Sequence, residues 1–235
     1  MTYDRFHTAA RSPLPQRLFA EAFGSEWVPG VEATSSFGWW LAGNLVGSLR
    51  LPPEGTLVDL GCGRGGPGLW LARAFSCRLV GVDFSAVAVA DATDRAPSFG
   101  VPASFHQVAF DNLGLPTGSA DAAFSVDAIY FAPDHAAAFA EVHRVLRPGA
   151  PFAFTARDTT ADWPAVLAEA GLTLESATPH PGTGDRWLRL FDLWDANEQA
   201  LRGEIGDEAT NDLLEESATR SRLDGSTYHL YLTRR

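Results

Sequence analysis

The sequence contains no lysine; all 18 of its basic residues are arginine. That absence excludes a Schiff-base lysine, a phosphate-loop lysine, a kinase strand lysine and the Tyr-x-x-x-Lys pair of many dehydrogenases. Methionine stands only at Met1, and the accompanying wealth of alanine and arginine reflects GC-rich coding, not mechanism. The two cysteines, Cys62 and Cys77, form neither a Cys-x-x-Cys pair nor a disulfide framework, which points to a reducing, cytoplasmic compartment. No apolar run approaches the ~18 residues needed to span a bilayer, and Met1 to Arg11 lack the apolar core of a signal segment. Basic residues do not cluster beyond Arg234-Arg235, and 29 acids leave a formal charge of −11. A chain this acidic repels phosphate backbones and anionic membranes, so neither nucleic acid nor membrane is an expected partner. No spacing of His, Cys and carboxylates suggests a metal site.

What is present suits a globular fold: 235 residues, 46% hydrophobic, are enough to bury a sizeable core. Residues 1–50 are rich in aromatics and read as a helical, aromatic cap segment, with a short helix ending near Gly24. From Thr56 the pattern alternates. Strand candidates at Thr56 to Leu60, Arg78 to Val82, 103–110, Ala120 to Val126, Pro151 to Ala156 and Leu172 to Ala177 are separated by helical stretches. Ser85 reads as an N-cap, and Arg147-Pro148-Gly149 as a helix stop. This rhythm predicts an α/β fold: a Rossmann-like, seven-stranded, mostly parallel sheet with helices on both faces and a helical cap. The expected organisation is a cap over 1–50, an α/β core over 51–180, an inserted helical cap of two amphipathic helices over 181–224, and a last core strand over 225–235. Trp187, Leu190, Phe191 and Trp194 share one helical face. Ten acids against three arginines between Asp192 and Asp224 read as a solvated exterior.

The most informative segment runs from Val58 through Gly68, with five glycines at a strand-to-helix turn. Glycines there admit positive φ and close backbone approach, and a helix N-terminus offers unpaired N–H groups. Asp83 ends the next strand, twenty residues after Gly63, where a carboxylate can accept hydrogen bonds from two ribose hydroxyls. Together they argue for an adenosine-bearing ligand above the sheet. Asp59, two residues before Gly61, suits a ligand with an ammonium group and no pyrophosphate.

At this point the sequence resembles the class I S-adenosylmethionine-dependent methyltransferases that act on small molecules. Asp59-Leu60-Gly61-Cys62-Gly63-Arg64-Gly65 looks like their first motif and Gly81-Val82-Asp83-Phe84-Ser85 their second. Phe110-Asp111-Asn112 with Leu115-Pro116, then Ser125 to Tyr130, then Val145-Leu146-Arg147-Pro148-Gly149 follow in the family's order, over about residues 56–158. Ala150 departs from the pattern, where a second glycine is usual. The resemblance implies S-adenosyl-L-methionine as cofactor and S-adenosyl-L-homocysteine as product. It implies that Asp59 orients the methionine ammonium, and that Gly61, Cys62, Gly63 and Gly65 line the methionine part. Asp83 would hold the ribose, Phe84 would pack on adenine, Asp111 and Asn112 would meet its edge, and Val126 and Asp127 would border the sulfonium.

The expected activity is in-line methyl transfer to a small acceptor with an apolar or aromatic body, of the secondary-metabolic kind, by a monomer or homodimer. Such a reaction needs alignment and dryness first, and a base only where the nucleophile sheds a proton. Asp127, Tyr130 and His7 are the catalytic candidates. Trp27, Phe37, Trp39, Trp40, Tyr130, Trp187 and Phe191 are the pocket candidates, with packing of the cap as the competing role for each aromatic. Two rival functions keep the same sheet: a non-methylating S-adenosylmethionine-fold protein, such as a cyclase or decarboxylase, and a nicotinamide oxidoreductase. Asp59 fits the second poorly.

Overall fold

The structure, a computed structural model, describes residues 3–235. In chain order it opens with helices α1 (Tyr3–Ala9), α2 (Pro13–Phe23) and α3 (Trp39–Leu49), then enters the alternating region. There β1 (Thr56–Leu60), α4 (Gly66–Phe75), β2 (Arg78–Asp83), α5 (Ala86–Phe99), β3 (Ala103–Gln107) and β4 (Ala122–Ser125) precede α6 (His135–Val145). Next come β5 (Pro151–Arg157), α7 (Trp163–Glu169) and β6 (Thr173–Pro179). Helices α8 (Thr183–Ala196), α9 (Glu198–Ile205) and α10 (Asp207–Ser217) then lead to β7 (Tyr228–Arg234).

The strands form one seven-stranded sheet in the order β3-β2-β1-β4-β5-β7-β6. The first five are parallel, and β7 runs antiparallel to both β5 and β6. The period of two is visible in what each strand buries. Val58, Leu60, Phe152 and Phe154 join Phe139 and Trp163 on the face covered by α6 and α7. Leu57, Phe124 and Ala153 join Leu41, Leu45 and Leu69 on the face covered by α3 and α4. Because both faces are covered, β4 is buried along its whole length.

A third cluster lies off the sheet, where Leu18 and Phe19 of α2 pack on Leu190, Phe191 and Trp194 of α8 and Leu213 of α10. The spacing expected for α8 therefore holds as its buried stripe. Other expectations are corrected. The region after β6 holds three helices and a short 3-10 turn in place of two, because Gly206 at φ 83° breaks the second from the third. Pro13 and Pro15 lie within the opening turn of α2, the helix expected to end near Gly24, where a missing N–H costs nothing. Helix α5 runs on to Phe99, with Pro97 in its last turn and a left-handed cap at Gly100. Ser85 does cap it, its hydroxyl accepting from the Ala88 N–H at 3.1 Å. No helix is long and apolar enough to cross a membrane among the described residues.

Strand order also fixes where a ligand can go. The chain winds outward from β1 to β3 and then returns to β4, so the loops after β1 and β4 diverge and leave a crevice at their carboxyl ends.

Candidate functional site

The loop after β1 enters this crevice. The N–H groups of Gly61 and Cys62 both donate to the Val82 carbonyl, at 2.8 and 3.0 Å, which pins the turn to the end of β2. Gly61 has φ +76°, and a Cβ there would lie 2.2 Å from the Cβ of Ala128 on the opposite lip. Only glycine fits. Asp83 secures the far side, accepting from the N–H groups of Gly63 and Ser85, each at 2.9 Å. A carboxylate has about four acceptor sites, so two remain for a ligand diol.

Asp59 lies beneath the loop, almost wholly buried, and its Oδ2 has no hydrogen-bond partner. Burial and the nearby Asp83 charge push its carboxyl well above the usual carboxylate range. Gly68 leaves room for it: a Cβ there would be 2.5 Å from that oxygen. An unpaired buried carboxylate oxygen is costly, and a cationic ligand group would remove the cost.

The crevice has two chambers with a common wall. Asp59, Gly61, Cys62, Gly63, Asp83, Phe84, Val126 and Asp127 line the first. Phe110 lines it too, whereas Asp111 and Asn112 are exposed and outside its lining. Gly65 is the N-cap of α4 and is likewise outside the lining. Tyr130, Trp187 and Phe191 line the second, with Trp194, Tyr228, Arg157 and Glu216. Tyr3, Phe6, Thr34, Asp127 and Phe131 belong to both.

Asp127 sits at this junction with φ +53°, a strained conformation for a residue with a side chain. Its neighbours hold it there. The Ser36 N–H donates to Oδ2 at 2.6 Å, and the Thr155 hydroxyl donates to Oδ1 at 2.7 Å and accepts from the Asp127 N–H at 2.8 Å. Burial raises its carboxyl from the ordinary value.

Helix α1, which no sequence signal had marked, roofs the first chamber. Tyr3 meets Phe84 edge-on at 5.1 Å and Phe131 at 5.9 Å, and the Ser85 hydroxyl donates to Asp4 at 2.5 Å. Arg5 pairs with Glu208 and Asp212 on α10. Arg64, from the glycine loop, donates to the Ala10 carbonyl at 2.7 Å and meets Asp91, which also binds Arg11. His7 therefore lies over Gly63, buried, with Nδ1 unpaired; burial lowers its pKa and keeps the ring neutral. It lines only the first chamber, not the second where Tyr130 lies.

Four of the predicted pocket aromatics are not brought to either chamber, which corrects that expectation. Phe37 is in the core, edge-on to Trp70 at 6.0 Å. Trp39 is on the outer surface, 47% exposed. Trp40 stacks on His180 at 4.6 Å, and Trp27 packs on Phe19 at 6.5 Å. Aromatic identity does not distinguish packing from lining. Conversely Arg157 and Tyr228 carried no sequence signal, Phe110 stood only within its motif, and Trp194 only within the apolar stripe of its helix.

A crevice at the β1/β4 switch point, a glycine loop pinned by its backbone, and acidic residues at the ends of β1 and β2 form the kind of site at which an open α/β sheet receives an adenosine-bearing ligand. Residues 58–154 match the family described as a methyltransferase domain. Over 111 residues the chain is 38% identical to the dimethylglycine N-methyltransferase of Parasynechococcus marenigrum, spanning 45% of this chain and 38% of that protein. The chain spans between a quarter and two fifths of the first curated relatives it matches. Two solved structures share the fold: the (4+2)-cyclase SpnF, with a TM-score of 0.75 and 21% identity, covering 94% of this chain and 92% of that one. The other is a putative sarcosine dimethylglycine methyltransferase from Galdieria sulphuraria, with a TM-score of 0.74 and 18% identity, covering 99% and 98%.

Proposed function

We propose that this chain transfers the methyl group of S-adenosylmethionine to a small molecule held in the second chamber. The observation that carries the reading is the pair of chambers meeting at Asp127, one fitted to the cofactor and the other walled by aromatic side chains. The unpaired Oδ2 of Asp59 fits the cofactor's ammonium, Asp83 its ribose diol, and Phe84 and Phe110 its adenine. The backbone of Gly61, Cys62 and Gly63 lies against the methionine part, and Gly65 sets the helix start behind it.

When bound, the cofactor supplies an electrophilic methyl on a sulfonium. The protein's residues do the rest by position. Val126 and Asp127 face the reacting end, and Tyr3, Phe6 and Phe131 wall both chambers, where they would exclude water and tolerate the positive charge of a sulfonium. Asp127, with its raised pKa, is placed to take a proton from an acceptor O–H or N–H at the junction. Tyr130 lies in the acceptor chamber as a donor. His7 serves as the seal between α1 and the glycine loop, since it has no access to that chamber. Aromatic walls favour an acceptor with an apolar or aromatic body, of the secondary-metabolic kind.

Calorimetric titration with S-adenosylhomocysteine tests the cofactor half. Wild-type protein binds, NADH does not, and Asp83→Ala binds about a hundredfold more weakly, given two hydrogen bonds to a charged group at roughly 1.5–3 kcal/mol each. Absence of binding to folded protein refutes the reading. Binding without acceptor-dependent formation of S-adenosylhomocysteine, across a broad acceptor set, leaves a non-methylating member of the fold.

A further inference from the structure

Arg157 is the last residue of β5, half-buried, and its side chain lines the second chamber. Its Nη1 donates to the Arg222 carbonyl at 2.7 Å. Half of the 18 arginines, Arg5, Arg11 and Arg64 among them, stand in ion pairs with carboxylates. Arg157 has none among the described residues. Its guanidinium keeps N–H donors free for an anion that enters the chamber.

The rest of the polar lining has the same character. Antiparallel pairing sets Arg157 directly opposite Tyr228. The phenols of Tyr228, Tyr130 and Tyr3 donate to no acceptor among the described residues, and burial raises the pKa of each, that of Tyr3 to about 12, so all three stay protonated as donors. Trp187 and Trp194 also carry buried indole N–H groups without partners. Against these donors stand two carboxylates. Each oxygen of Asp127 accepts one hydrogen bond, from Ser36 or from Thr155, and Glu216 is exposed. Donors therefore outnumber acceptors in the chamber, and the half-buried guanidinium among them is that of Arg157.

We propose that the acceptor is an organic anion: an apolar or aromatic body bearing a carboxylate, or a similar planar oxyanion, that pairs with Arg157 in the second chamber. The guanidinium fork suits such a group because it can present two parallel N–H donors, and the surrounding rings desolvate the pair and strengthen it. Phenol hydroxyls from Tyr130 and Tyr228 complete the oxygen's shell. This proposal rests on the methyl-transfer reading for its use of the word acceptor, but its test does not.

Protein saturated with S-adenosylhomocysteine is titrated with benzoate, 3-phenylpropionate, cinnamate and indole-3-acetate, each beside its primary amide and the corresponding primary amine. At least one carboxylate binds, and its amide and amine bind at least about tenfold more weakly. In Arg157→Gln the preference for the carboxylate disappears, while Arg157→Lys keeps most of it; both variants bind S-adenosylhomocysteine within about twofold of wild type, which shows that the fold is intact. Arg222→Gln, at the rim, changes the preference by no more than about threefold. Amides or amines binding as well as carboxylates, a preference that survives Arg157→Gln, or no carboxylate binding at all each overturns the proposal. Failure of S-adenosylhomocysteine to bind wild-type protein is a separate result, and counts against the methyl-transfer reading instead.

Discussion

The two chambers are built from different kinds of sequence. The first is made by segments that follow strand ends closely, Gly61 to Gly63 after β1 and Asp83 and Phe84 after β2, and much of its recognition is backbone. The second is made by side chains from α1, the end of β5, α8, α10 and the start of β7, which meet only in the finished fold. A backbone site constrains residue type tightly at a few positions. A side-chain site can be rebuilt while the sheet beneath it stays the same, so one architecture can present many acceptors to one cofactor.

The sharpest way to break that contrast is Gly61→Ala. If the first chamber depends on close backbone approach, the added Cβ, 2.2 Å from that of Ala128 and at positive φ, should cost about 3 kcal/mol or more. At this chain length that is a fall of roughly 10 °C in Tm, read by calorimetry, with loss of S-adenosylhomocysteine binding. A variant that binds normally would show that the loop has slack.

His180 tests whether Trp40 belongs to packing and not to the acceptor. Burial lowers the His180 pKa to about 3, and neither ring nitrogen has a partner. The unfolded chain takes up a proton near pH 6.5 and the folded one does not, so the protein loses stability as pH falls from about 6.5 toward 3, by up to about 1.4 kcal/mol per unit. His180→Phe, which keeps a ring against Trp40, should flatten that part of the stability profile. An unchanged profile would mean that the imidazole reaches solvent.

Trp187→Ala separates the chambers directly. Acceptor-dependent formation of S-adenosylhomocysteine should drop about tenfold, while affinity for S-adenosylhomocysteine stays within twofold, because Trp187 lines only the second chamber. Smallest of all is Trp39→Ala. This exposed ring touches Trp70 on the outer face, so stability should move by no more than about 0.5 kcal/mol and neither ligand should notice.

The same contrast decides what could be read beforehand. The sheet and the first chamber were legible because their signals are local: the glycine turn, Asp83 at its spacing, the Ser85 cap. Phe110 stood in a recognised motif but not as a lining ring, because the strand expected through residue 110 ends at Gln107 and the turn that follows carries the ring over the crevice. In the second chamber, Trp187 and Phe191 could be singled out by residue type, but Arg157 and Tyr228 could not. Nothing between them in sequence says that β7 will enter the sheet beside β5 and set the two opposite one another. Helix α1 is only seven residues long, and its helical state rests on tertiary contacts such as Tyr3 to Phe84 and Arg5 to α10, not on intrinsic propensity.

The insertion of β7 between β5 and β6 also sets a timetable for synthesis. Strand β6 pairs with β7 and with no other strand, so while the ribosome makes residues 180–227 it has no neighbour, and the outer edge of β5 is bare as well. At roughly 5–20 residues per second this interval lasts several seconds, during which two strand edges are open to other chains. The length of the cap segment thus fixes how long the nascent protein is exposed to mispairing, and any lengthening of helices α8 to α10 extends that delay.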